Sequence, residues 1–149
     1  MTSIRPFSPA DRAAWQDLWD AYLVFYETVL PDDVTDDVFS RLTSGDGLYG
    51  AIAWSEFGAP LGLAHWIFHP STWSTANTCY LADLYVHPEA RGQGVGRDLI
   101  AHVCRAAEIA GAHNVYWHTH ESNASARVLY DRVARRTGHI EYEITRPGT

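Results

Sequence analysis

At 149 residues, 46% of them hydrophobic and 19% charged, the chain has the size and profile of one globular domain that folds without disulfides or metal. Eighteen acidic residues against eleven basic ones, with no lysine, give a net charge of −7. That argues against nucleic acid as a partner, because such binding neutralises phosphates with Lys and Arg.

No apolar run approaches the roughly 18 residues of a membrane span, and MTSIRPFSP lacks the apolar core of a signal peptide. Cys79 and Cys104 have neither ligand nor redox spacing, so they read as reduced core thiols. The expectation is a cytoplasmic chain that does not engage membranes.

In chain order, Thr2 to Pro6 predicts a short strand, and Ser8-Pro9 starts a helix with Ser8 as N-cap. Trp15, Leu18, Trp19, Tyr22 and Tyr26 then fall on one helical face that Pro31 should end. A second helix is predicted over Asp36 to Leu42. Leu48–Trp54 and Leu61–Phe68 read as strands joined at Gly58-Ala59-Pro60, and Thr78–Val86 as the next strand.

A glycine-rich turn leads into a helix with Val95, Leu99 and Val103 on its apolar stripe, ending near Gly111. Val115–His118 predicts a buried strand. Ser122 or Asn123 caps a helix carrying Ala126, Leu129, Tyr130 and Val133, and His139–Thr145 predicts a last strand. The order describes one mixed α/β domain spanning residues 1–149.

The turn ARGQGVGRDL strips side chains away just where a helix begins. A helix N-terminus offers unpaired N–H groups and the positive end of its dipole, and glycines let an anion approach the backbone. Arg91 and Arg97 flank the turn and add charge. A phosphate is the physical expectation; a plain tight turn is the structural alternative. The phosphate-binding loop Gly-Lys-Ser/Thr is excluded by the absence of lysine, and the dinucleotide fingerprint by Arg97 at its third glycine.

Arg91-Gly92-Gln93-Gly94-Val95-Gly96 matches Arg/Gln-x-x-Gly-x-Gly/Ala, and in this it resembles the coenzyme A pyrophosphate motif of the GCN5-related N-acetyltransferases. YLADLYVHPEARGQGVGRDLI resembles that family's fourth strand, loop and third helix, and NVYWHTHESNASARVLYDRV its fifth strand and fourth helix. The second stretch is most similar to the yeast histone and polyamine acetyltransferase subgroup. The resemblance covers about the last half of the chain.

It implies the family's acyl-CoA N-acyltransferase fold: an α/β mixed central sheet splayed between strands 4 and 5 and flanked by four helices. It also implies acetyl-CoA as cosubstrate, with Leu84, Tyr85 and Val86 offering backbone groups to pantetheine. Arg91, Gly92, Gln93, Gly94, Val95, Gly96 and Arg97 would hold the pyrophosphate. Asn123 would contact the pantetheine arm and Tyr130 would sit by the sulfur. Seven residues separate Asn123 from Tyr130, nearly two helical turns, so the two share a face.

An amine attacking a thioester must lose a proton, and the departing thiolate, an easy leaving group, needs at most assistance from a general acid. Tyr130 is the candidate general acid, with a packed core tyrosine as its alternative. Asp83 is the candidate base, because an unpaired carboxylate in an apolar strand is costly; the strand period puts it on the face of Leu81 and Tyr85. A structural carboxylate bonded to amides or an arginine is the alternative.

His118 and His120 alternate on one strand face, but third and fourth ligands with zinc spacing are missing, so no metal is expected. Tyr26, Glu27, Asp32 and Asp33, with Asp36 and Asp37, put carboxylates beside an aromatic face in the region that walls the family's acceptor site. That combination suits a cationic amine; helix N-terminal carboxylates are the alternative.

The leading expectation is transfer of acetyl to the primary amine of a small cationic, polyamine-like acceptor by direct attack in a ternary complex. A protein lysine or N-terminal acetyltransferase and a non-catalytic acyl-CoA-binding module are the competing readings. A homodimer built with the terminal strand is also expected, since an edge strand offers unpaired backbone groups.

Overall fold

In the computed structural model, which describes residues 2–148, the chain divides after His118 into two compact units. The first is built on a sheet in the order β1 (Ser3–Pro6), β2 (Tyr49–Trp54), β3 (Pro60–His69), β4 (Thr78–Val86) and β5 (Val115–Tyr116). Neighbours are antiparallel except for the parallel pair β4–β5.

Three helices complete this unit: α1 (Arg12–Phe25), α2 (Asp32–Ser44) and α3 (Val95–Ile109). The aromatic stripe of α1 turns inward. Trp15, Leu18 and Trp19 join Phe39 and Leu42 of α2 over Ile52, Leu63 and Tyr85. Covering these side chains is the main stabilising term, at about 1.5–3 kcal/mol for each fully buried large apolar residue.

On the opposite sheet face, α3 buries Val95, Leu99, Ile100, Val103 and Ala107. Gly62 admits the close approach there, since a Cβ would lie 2.5 Å from the Tyr85 carbonyl oxygen and 3.2 Å from Leu99 Cδ1.

Helix α1 stops earlier than Pro31. Thr28 N–H donates to the Leu23 carbonyl and Glu27 N–H to that of Val24, a closing motif that needs a left-handed residue, here Glu27 at φ 53°. Pro31 is instead the N-cap of α2, which begins at Asp32 and so runs longer than the predicted Asp36–Leu42. Cys79 is buried, but Cys104 is exposed on α3 rather than in the core.

Strand β4 carries a bulge that the sequence period does not reveal. His65 pairs with Asp83 and Trp66 with Leu81, which leaves Ala82 as the extra residue. Successive residues of β3 face opposite ways, so Asp83 shares the α1 side with Tyr85 while Leu81 faces α3. The predicted common face of Leu81 and Asp83 is thereby corrected.

Pairing of β4 with β5 covers only Cys79–Val115 and Tyr80–Tyr116, so the two strands part beyond Tyr80 and β5 is shorter than the predicted Val115–His118.

The second unit, from Thr119 onward, contains α4 (Ala124–Val133) with Asn123 as N-cap. The predicted strand His139–Thr145 does not form. A strand's hydrogen bonds come from a neighbouring edge, and the alternating Ile140, Tyr142 and Ile144 are all exposed here.

Candidate active site

The bulge at Ala82 aims Asp83 at the last turns of α1. There the Tyr22 hydroxyl donates to Oδ1 at 2.6 Å, while Nδ1 of His65 lies 3.0 Å from Oδ2. Behind His65, the Trp15 indole N–H donates to Nε2 at 3.0 Å. The chain Trp15–His65–Asp83–Tyr22 thus runs from the core to the surface. The His65 side chain is 7% exposed and that of Asp83 21%, so of these two the carboxylate is the one that meets solvent.

Tyrosines surround it. Tyr22 stacks on Trp19 with ring centroids 5.0 Å apart, and Tyr26 lies 4.8 Å from Tyr22. Burial first, then the Asp83 charge, pushes the Tyr22 phenol well above the usual tyrosine value, so it remains a donor. The same two causes raise Tyr26. A half-buried carboxylate held by two donors and walled by rings is equipped to receive an amine and to accept its proton.

Of the acidic residues singled out in the sequence, only Asp83 enters this cluster directly. Glu27 occupies the turn after α1, and Asp32 and Asp33 form the first turn of α2, where Asp33 accepts from the Val34 N–H at 3.0 Å. Asp36 is drawn to Arg12 at 2.6 Å and Asp37 to Arg41 at 3.8 Å. His65 and Tyr22 were not singled out as functional. The available signal was a lone imidazole inside LGLAHWIF, a stretch where a buried polar group needs a partner.

The glycine turn lies between β4 and α3. Gly92 and Gly94 have φ of 78° and 82°, and a Cβ on either would meet nothing within 4 Å. Packing within the protein therefore does not demand glycine here; the left-handed backbone does, and it leaves an open cradle.

The first hydrogen bond of α3 runs from Asp98 N–H to the Gly94 carbonyl at 3.0 Å, and Gly94 has no side chain to cap the N–H groups before it. Arg91 Nε donates to the Val86 carbonyl at 3.1 Å and Gln93 Nε2 to that of Glu89 at 3.2 Å, which ties the turn to the end of β4. Val95 is buried, so only its backbone faces the cradle, whereas Arg97 is exposed. Oriented N–H groups, a helix dipole and arginines suit a phosphate or pyrophosphate.

A model of the acetyltransferase (GNAT) family matches residues 12–134. The chain belongs to the GNAT family. It is 37% identical over 142 residues to the D-amino-acid N-acetyltransferase HPA3 of Saccharomyces cerevisiae, covering 94% of this chain and 88% of that one. The thialysine N-epsilon-acetyltransferase of Sus scrofa is 37% identical over 75 residues, 50% of this chain and 42% of the relative.

The fold of this GNAT acetyltransferase recurs in AAC(6')-Iy, solved with a coenzyme A bisubstrate analogue, at a TM-score of 0.85 and 20% identity over 98% and 99% of the two chains. It recurs also in a ribosomal-protein-alanine N-acetyltransferase of Brucella melitensis biovar Abortus 2308, at a TM-score of 0.82 and 19% identity over 97% and 99%. The protein is therefore an acyltransferase of the GNAT fold, with the expected mixed sheet and strands that part between β4 and β5.

In the second unit, Asn123 Nδ2 donates to Thr119 Oγ1 at 3.2 Å, so its side chain braces the approach to α4 rather than capping it. Tyr130 lies seven residues on, half-buried. Among the described residues, no group of three or more His, Cys, Asp or Glu side chains is placed to hold a metal ion. No helix among the described residues is long and apolar enough to cross a membrane.

Proposed function

We propose that this acetyltransferase moves the acetyl group of acetyl-CoA to the primary amine of a small cationic acceptor, by direct attack in a ternary complex. The observation that carries the reading is the half-buried Asp83 carboxylate, fixed between Tyr22 and His65 in a chain of hydrogen-bonded side chains that starts at the core residue Trp15. When bound, the cosubstrate supplies an activated thioester carbonyl.

Asp83 draws the acceptor's ammonium, orients it beside Tyr26, and takes a proton from it so that the neutral amine can attack. The N–H groups of Gly92 to Arg97 and the two arginines hold the pyrophosphate, and the edge of β4 at Leu84 to Val86 lies along pantetheine. Asn123 and Tyr130 serve the pantetheine arm and the leaving sulfur. The open cradle at Gly92 and Gly94 and the parting of β4 from β5 support the pyrophosphate and β4 placements, whereas the roles of Asn123 and Tyr130 rest on the family resemblance.

Small primary amines are further supported by the two relatives whose names specify a D-amino acid and thialysine. Glu27, Asp32 and Asp33 add negative potential near the acceptor's approach. The test is free-thiol release from acetyl-CoA with a panel of polyamines, D- and L-amino acids, thialysine and lysine peptides. Small amines are expected to turn over; turnover confined to peptides overturns the small-acceptor reading.

The reading places the enzyme in the cytoplasm, in keeping with two unpaired cysteines. It also includes a homodimer. Ile140, Tyr142 and Ile144 are 74%, 87% and 97% exposed on an alternating segment that a second copy's edge would cover. Light scattering is expected to give twice the chain mass, and a monomer at every concentration rules the dimer out.

A further inference from the structure

His65 lies in the middle of β3, 5% exposed, and both of its ring nitrogens are engaged. An indole N–H only donates, so Nε2 of His65, 3.0 Å from Trp15 Nε1, has to present its lone pair. The proton of the neutral imidazole then resides on Nδ1, which faces Asp83 Oδ2 at 3.0 Å. Trp15, by donating to Nε2, and Asp83, by accepting from Nδ1, thus fix the same neutral tautomer of His65.

The ring has little freedom to turn, with Phe7 edge-on at 5.7 Å and Trp19 at 5.0 Å between centroids. His65 also has no lone pair left for a substrate, which removes it as a base in its own right.

We propose that Trp15 and His65 are positioning residues for Asp83. The proposal rests on the reading of Asp83 as the group that meets the acceptor amine. The terminal torsion of an aspartate is soft, so the Tyr22 bond to Oδ1 alone leaves the carboxylate plane free to rock. A second donor on the other oxygen, approaching from β3, pins that plane and directs the remaining lone pairs to one place. The indole reaches the reaction only through the imidazole.

Four variants and one spectroscopic comparison test this on the full chain. His65→Leu removes the donor and is expected to lower kcat about 10-fold with acetyl-CoA affinity unchanged, a loss in the range that misplacement of a reacting group produces. His65→Asn offers an amide N–H near the position of Nδ1 and is expected to recover most of that loss. Trp15→Phe keeps the packing and removes the indole donor. In ¹⁵N NMR the wild type is expected to show His65 protonated at Nδ1 and accepting at Nε2. Trp15→Phe is expected to shift the Nε2 resonance as its donor is lost, while Asp83 keeps the proton on Nδ1.

Wild-type His65 protonated at Nε2 overturns the proposal, as does equal impairment of folded His65→Asn and His65→Leu. An Asp83→Asn variant separates the two readings. If it turns over like the wild type, the role of Asp83 fails, and positioning fails with it, even where the spectrum shows the Nδ1 tautomer.

Discussion

The Tyr22 hydroxyl and the Asp83 carboxylate meet at 2.6 Å across 61 residues of sequence, joining the last turns of α1 to the bulged part of β4. Tyr22→Phe keeps the ring stacked on Trp19 and removes one donor from the carboxylate. We expect a fall in kcat/KM for the amine of about 10-fold, and a stability loss of about 1.5–3 kcal/mol, the usual worth of a hydrogen bond to a charged group.

The titration has a definite sign. Burial and the Asp83 charge disfavour the phenolate, so Tyr22 stays protonated above the pH, about 10, at which free tyrosines ionise. Ultraviolet titration of the folded protein is expected to show a late-ionising class that Tyr22→Phe diminishes. An unchanged titration curve and unchanged kinetics would remove Tyr22 from the site.

At the glycine turn, Gly94→Ala meets no atom within 4 Å, so its cost in the free protein is that of a left-handed alanine, about 1–2 kcal/mol. Gly94→Asp adds a negative charge where the proposed pyrophosphate lies. Calorimetry is expected to show weaker acetyl-CoA binding for the alanine variant and much weaker binding for the aspartate variant. Full affinity in a folded Gly94→Asp protein would displace the cosubstrate from this turn.

The two candidate regions differ in how far the sequence discloses them, and the reason is locality. The turn from Arg91 to Gly96 and the start of α3 carry their signal within ten residues, because left-handed glycines and an uncapped helix start are local properties. The face of Leu81 was misread because the bulge at Ala82 is set by how β3 and β4 pair, not by β4 alone.

The link from Trp15 to His65 spans 50 residues, and no periodicity within α1 or β3 announces it. The end of α1 misled for another reason: Glu27 fills a left-handed position usually given to glycine, while the more conspicuous Pro31 starts the next helix. The segment from His139 to Thr145 has a strand's alternation yet forms no strand, because pairing depends on a partner edge that alternation alone does not supply.

Asp11 supplies an acid-sensitive element of stability. Its carboxylate accepts from both Arg5 terminal nitrogens at 2.9 and 3.1 Å, and from Ser8 N–H at 2.8 Å. The Arg5 hydrogen bonds foremost, then those from Ser8, hold its pKa below the ordinary value against the effect of burial. A depressed carboxylate stabilises the fold above its unfolded pKa, about 3.9, and that contribution is lost as pH falls through the folded value. Asp11→Asn is expected to cost about 1–3 kcal/mol at neutral pH. The gap in melting temperature from the wild type should narrow as pH drops below about 4; a gap independent of pH would refute the ionic origin.

Tyr130 lies on α4, one residue beyond Leu129 and three before Val133. If its hydroxyl holds the proton for the departing thiolate, it acts mainly in the transition state, so Tyr130→Phe should lower kcat and leave acetyl-CoA affinity nearly unchanged. General acid catalysis contributes about 10²–10⁴-fold in most settings. A thiol with a pKa near 8.5 leaves readily without help, so the expected loss is at the low end, about 10–100-fold. The substitution removes one oxygen and keeps the ring, so α4 should retain its packing. A purely structural tyrosine predicts the reverse, a lower melting temperature with turnover intact. Measuring melting temperature and kcat on the same preparation separates the two, and wild-type turnover by Tyr130→Phe ends the acid role.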